Sequence, residues 1–162
     1  MRKLQLYLET SIFGFYFDEE EKNVEKKEAV RKLLSQIKEG LMDGFISGLV
    51  IRELSKSPTR IAEEFFRIIK EHNIKEFETD EDEVQLLSEK YIHEGIIPVK
   101  VANDAIHVAL ATIGEFDVIV TLNCEHIANE LKIRRFKIVN YNEGYTRELS
   151  IRTPMEVIQY EN

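Results

Sequence analysis

The segment FDVIVTLN, residues 116–123, constrains the fold of this chain more than any other. Val118, Ile119 and Val120 follow one another without a polar interruption, and a strand that is apolar on both faces must be covered on both. That arrangement belongs to parallel sheets lying between layers of helix. The remaining strand-like runs agree with it: KLQLYL at 3–8, ending at Glu9, then GFISG, the weaker IKEF, and FKIVNY near the end.

Helical patterns separate these runs. VEKKEAVRKLLSQIKEG carries Val24, Ala29, Val30, Leu33, Leu34 and Ile37 at helical spacing with Gly40 as its stop, and LVIRELSKS suits a short helix halted before Pro58. PTRIAEEFFRIIKEH starts on proline and gathers Ile61, Phe65, Ile68 and Ile69 on one face. TDEDEVQLLSEKYIHEG has a cap residue and acids in its first turn, VANDAIHVALATIG has small side chains that allow close packing on a sheet, and EHIANELK reads as a short helix. The closing IRTPMEVIQY reads as an ordered tail with a turn at Pro154. The predicted fold class is α/β, a three-layer sandwich with a mainly parallel sheet of about five strands flanked by helices.

With 162 residues, one domain spanning 1–162 is expected, and 43% hydrophobic with 32% charged residues describes a folded chain. The net charge of −8 argues against a broad electrostatic attraction to nucleic acid, although a local basic track stays compatible with it. The single cysteine, Cys124, excludes an internal disulfide framework and a cysteine zinc cluster. No apolar run reaches the length of a membrane span and the amino terminus has no secretory pattern, so a cytoplasmic location away from membranes is expected.

In parallel sheets, ligands gather beyond the carboxyl ends of the strands. Four polar side chains stand there or on the adjoining helices: Glu9 after the first strand, Glu53 after the second, Asp104 opening the Ala-rich helix, and Asn123 after VIVTL. Each has an ordinary alternative, since Glu53 suits a helix-surface ion pair, Asp104 a helix start and Asn123 an N-cap. Glu9 is harder to place, because a charge ending a core strand asks for a partner.

Converging carboxylates repel unless a cation or proton compensates, and hard oxygen donors favour Mg²⁺ or Mn²⁺ over zinc. The chemistry that follows is phosphodiester hydrolysis. Thr10, Ser11 and Thr121 would set hydroxyls beside this centre, with His126 as a further support. A track for nucleic acid is offered by KIRRFK, with Lys132, Arg134 and Arg135, beside an expected edge strand. His107, three residues beyond Asp104 on a neighbouring part of one helix face, could be a ligand, but reads rather as a histidine bonded to backbone, in the core or supporting the site.

These segments together resemble the PIN domain, and within it the VapC-like toxins of toxin–antitoxin pairs. YLETSIFG is similar to the family's opening strand and acid-Thr-Ser turn, SGLVIRELSK to its second acidic motif, NDAIHVALA to its third and DVIVTLNCEHIAN to its fourth, while TPMEVI resembles the tail of one branch. The resemblance implies a Mg²⁺- or Mn²⁺-dependent endoribonuclease, commonly a homodimer, with Glu9 and Asp104 as metal ligands and Glu53 and Asn123 completing the catalytic site. It also implies an RNA substrate and an antitoxin that occludes the cleft. Two positions depart from the family pattern, Glu9 and Asn123, where many members carry Asp. An alternative is a noncatalytic PIN-like module that binds RNA or protein.

Overall fold

The computed structural model describes residues 2–159. Its strands are β1 (Gln5–Leu8), β2 (Asp43–Ile46), β3 (Lys75–Glu76), β4 (Val118–Val120) and β5 (Ser150–Arg152). They form one sheet in the order β3-β2-β1-β4-β5, and every pairing is parallel. The helices are α1 (Ser11–Tyr16), α2 (Val24–Lys38), α3 (Gly48–Ser55), α4 (Thr59–Glu71), α5 (Glu81–His93), α6 (Ala102–Ile113), α7 (Glu130–Asn142) and α8 (Pro154–Val157). This is the α/β fold that the strand and helix patterns predict.

Leu6 pairs with Gly44 of β2 on one side and with Val118 of β4 on the other, so β1 lies at the centre of the sheet. Its residues Leu6, Tyr7 and Leu8 are fully buried, which accounts for their unbroken apolar character. The chain winds outward from β1 through β2 and β3, then returns to the other side through β4 and β5. Strand order therefore reverses between β1 and β4, where sheets of this kind open a crevice at their carboxyl ends.

The helices follow from caps and burial. α2 buries Ala29, Val30, Leu33, Leu34 and Ile37, and Gly40 leaves it at φ 85°, a backbone region that glycine enters without a Cβ penalty. α3 is capped by Ser47, whose side chain accepts from the Val50 amide, and α5 by Asp80, which accepts from Asp82 and Glu83. Ala105, Ala109 and Ala111 of α6 are fully buried, so small side chains bring this helix close to its neighbours.

Three expectations are corrected. FKIVNY is not the last strand but the second half of α7: Phe136, Val139 and Asn140 are buried while Lys137 and Ile138 are exposed, a helical rather than an alternating pattern. EHIANELK is not one helix either, because residues 124–129 form turns and Asn129 caps α7 by accepting from the Lys132 amide. The fifth strand lies instead in the closing tail, where Ile151 pairs with Ile119 before Pro154 starts the short α8. Tyr160, the last residue of the expected tail, and the ends of the expected domain, residue 1 and residues 160–162, lie outside the described residues.

Candidate metal centre

Glu9 leaves the carboxyl end of β1 and is only 5% exposed. Its amide still bonds to the Val120 carbonyl at 3.0 Å, which holds the residue against β4. Ser11 Oγ and Thr121 Oγ1 both donate to its Oε1, at 2.5 and 2.6 Å, and leave Oε2 outside those bonds. The two hydroxyls accept in turn from backbone amides, Ser11 from Leu122 at 2.9 Å and Thr121 from Asn123 at 3.0 Å. A buried carboxylate is thus stitched across the point of strand reversal by neutral groups, and none of the ion pairs among the described residues includes it.

The same network reaches Asp104 at the start of α6. Asn123, whose amide bonds to Thr121, donates from its side chain to Asp104 and accepts from the His126 amide at 3.0 Å through Oδ1. Asn123 therefore caps its turn and also orients the acid. His126 Nδ1 approaches Asp104 Oδ2 at 2.9 Å. Burial pushes the Asp104 carboxyl above its ordinary range and the charge of Glu9 adds to this, while the Asn123 hydrogen bond and then His126 oppose it. The two acids feel each other's charge, as a shared cation site requires.

Glu53, on α3, is held differently. Its Oε1 accepts from Thr10 Oγ1 at 2.7 Å and lies 2.5 Å from His107 Nε2. Burial pushes this carboxyl up, but hydrogen bonds from His107, Thr10 and Asn103 bring it below its ordinary range. It is kept ionised and fixed in place. His107 bonds to side chains rather than to backbone, with Tyr7 on its other ring nitrogen at 2.6 Å. Tyr7, Ser47 and Asn103 were not singled out from the sequence, where nothing distinguishes them from core and cap residues.

The basic track stands elsewhere in its chemistry. Lys132, Arg134 and Arg135 lie on the helix α7. Lys132 Nζ donates to the Ile96 carbonyl, and Arg135 to those of Glu94 and Gly95, so both close off the carboxyl end of α5. Arg134 is exposed, with Glu130 at 3.9 Å.

Residues 6–147 match the family model described as PIN domain. The chain belongs to the PIN domain family. PIN domains are generally nucleases that act on nucleic acid with divalent metals. No curated protein matches this chain significantly.

The donor set of this PIN domain can be tested against such an ion. Among the described residues no three His, Cys, Asp or Glu side chains form a cluster that could cage a metal. A closed, zinc-type site does not fit. Mg²⁺ needs less, because it keeps several waters and is held through one or two carboxylates together with phosphate oxygens. Glu9 and Asp104 fit that requirement, being oxygen donors that share one hydrogen-bonded network. No helix among the described residues is long and apolar enough to cross a membrane.

Proposed function

We propose that this PIN domain is a Mg²⁺- or Mn²⁺-dependent endoribonuclease and acts as the toxin of a toxin–antitoxin pair. The observation that carries the metal dependence is Glu9, a buried carboxylate held by two hydroxyls, without an ion-pair partner among the described residues and within electrostatic reach of Asp104. Glu9 and Asp104 would hold the divalent ion. When bound, the ion neutralises charge at the scissile phosphate and lowers the pKa of the attacking water.

The chain's own groups do the rest. Glu53, kept ionised, accepts a proton or a hydrogen bond from the attacking water, and Asn123 and His126 hold Asp104 in orientation. Thr10 sits beside Glu53 and keeps one of its oxygens occupied. The choice of RNA, the toxin role, an antitoxin that covers the cleft and a homodimeric state rest on the likeness of YLETSIFG, SGLVIRELSK, NDAIHVALA and DVIVTLNCEHIAN to VapC-like toxins.

The Asp104→Asn variant tests the reading. Cleavage of single-stranded RNA in Mn²⁺ falls by about 100-fold or more, while circular dichroism and melting temperature stay close to wild type. Full activity in that variant overturns the assignment. Calorimetric titration separates the enzyme from a noncatalytic module, a reading motivated by Glu9 and Asn123 at positions where many members carry Asp and by the net charge of −8. Millimolar or tighter Mn²⁺ binding belongs to the enzyme, and none to the module.

A further inference from the structure

A chain of hydrogen bonds runs through the core behind Glu53. Tyr7 and His107 are fully buried and Ser47 nearly so. Ser47 Oγ accepts from the Val50 amide at 3.3 Å and lies 2.9 Å from Tyr7 Oη, which lies 2.6 Å from His107 Nδ1. His107 Nε2 ends the chain at Glu53 Oε1, 2.5 Å away. Three elements, β1, the β2–α3 junction and α6, thus converge on one carboxylate oxygen.

Chemistry fixes the direction of these bonds. Glu53, as a carboxylate, only accepts, so Nε2 of His107 carries a proton. If Nδ1 carried one as well, a fully buried ring would be a cation. A neutral ring avoids that cost and lets Nδ1 accept from the Tyr7 hydroxyl, which accepts in turn from Ser47. The Tyr7 hydroxyl has one proton, and with Ser47 donating to its oxygen that proton is free to go to Nδ1.

We infer that His107 is a positioning residue, locked by Tyr7 and Ser47 in its Nε2–H tautomer so that it holds Glu53 at the catalytic centre. A residue that merely filled the core would be replaced equally well by any polar side chain of similar size. The kinetic consequence rests on the nuclease reading above, whereas the tautomer does not.

Two substitutions separate positioning from packing. His107→Gln reaches as far as Nε2 and keeps a donor to Glu53, whereas His107→Asn reaches only as far as Nδ1. In RNA cleavage at saturating Mn²⁺, His107→Gln keeps kcat within about threefold of wild type, while His107→Asn loses about 10- to 100-fold in kcat with KM nearly unchanged. Tyr7→Phe, which preserves the ring, falls between them and serves where His107→Asn fails to fold.

A second readout needs neither metal nor substrate. Long-range ¹⁵N–¹H spectra of the metal-free wild-type protein at pH 7 show His107 protonated at Nε2 and bare at Nδ1, and Tyr7→Phe mixes the tautomers. An imidazolium or an Nδ1–H ring in wild type overturns the inference, as does equal kcat in His107→Gln and His107→Asn. A wild-type protein that cleaves no RNA overturns both readings, whereas a cleaving wild type with equal variants overturns this one alone.

Discussion

Glu9 shows how a single residue sets stability against function. Its side chain is buried and is met by hydroxyls rather than by a cation, so the metal-free protein bears the cost of an incompletely compensated charge. Gln at this position keeps an oxygen for Ser11 and Thr121 and removes the charge. Metal-free Glu9→Gln is therefore at least as stable as wild type. Binding to the native state stabilises by about 2.7 kcal/mol at 100 times the dissociation constant, so Mn²⁺ at that level raises the wild-type melting temperature by about 5–10 °C. Thermal melts with and without Mn²⁺ check this, and a Glu9→Gln protein that gains the same increment removes Glu9 from the ligand set. Glu9 was legible in the sequence because a charge at the end of a core strand is out of place. The partners of His107 were not legible, since Glu53 and Tyr7 lie 54 and 100 residues away and no local spacing reveals them.

Among the elements, those with a regularly repeated or continuous apolar pattern were the readable ones. α2 and α4 repeat their apolar positions over several turns, and β4 and the last three residues of β1 are apolar without a break. β5 has three residues and a single buried one, Ile151, so it carried too little pattern to compete with FKIVNY, whose apolar content is high but helically spaced. The sheet has a fastening at its amino end that no motif announces. Asp117, just before β4, accepts from the Gln5 amide at 2.7 Å and from Arg2 and Arg147, and so ties β1, β4 and the segment before β5 together. Burial would raise its carboxyl, but Arg2, the Gln5 amide and Arg147 prevail and hold it at about 2. Because the folded value lies below the unfolded one of about 3.9, the contribution is complete above roughly pH 4 and is lost as pH falls toward the folded value. The arginines are largely exposed, so screening leaves a contribution of about 1 kcal/mol. Asp117→Asn is less stable than wild type by that amount at pH 7, and the two converge near pH 2. Urea titrations across this range check the window, and cleavage should be untouched because Asp117 lies at the opposite end of the strands from Glu9.

For the whole molecule, the five-stranded order explains why four distant segments meet. Parallel strands place all their carboxyl ends on one side, and the reversal between β1 and β4 puts Glu9 beside Thr121 and Asn123. That much followed from reading strands and helices in sequence; which neighbours each strand takes did not, because β5 was hidden. The electrostatics of the molecule carry one more consequence. The net charge is −8, and several cations are already engaged: Lys132 and Arg135 with backbone carbonyls, Lys137 with Glu148, Arg147 with Asp117, and Arg67 with Glu64 and Glu71. The 30 acidic side chains outnumber the 22 basic ones, so the molecule as a whole repels phosphates. RNA affinity in the proposed nuclease thus depends on the divalent ion more than on a basic surface. With about three phosphates neutralised by side chains, log K against log salt has a slope of about −2, given roughly −0.7 per phosphate for a single strand. Titration of a cleavage-resistant RNA at 50–300 mM KCl in constant Mn²⁺ measures it. A slope of −5 or steeper would show a basic binding face after all and return Lys132, Arg134 and Arg135 to the RNA path.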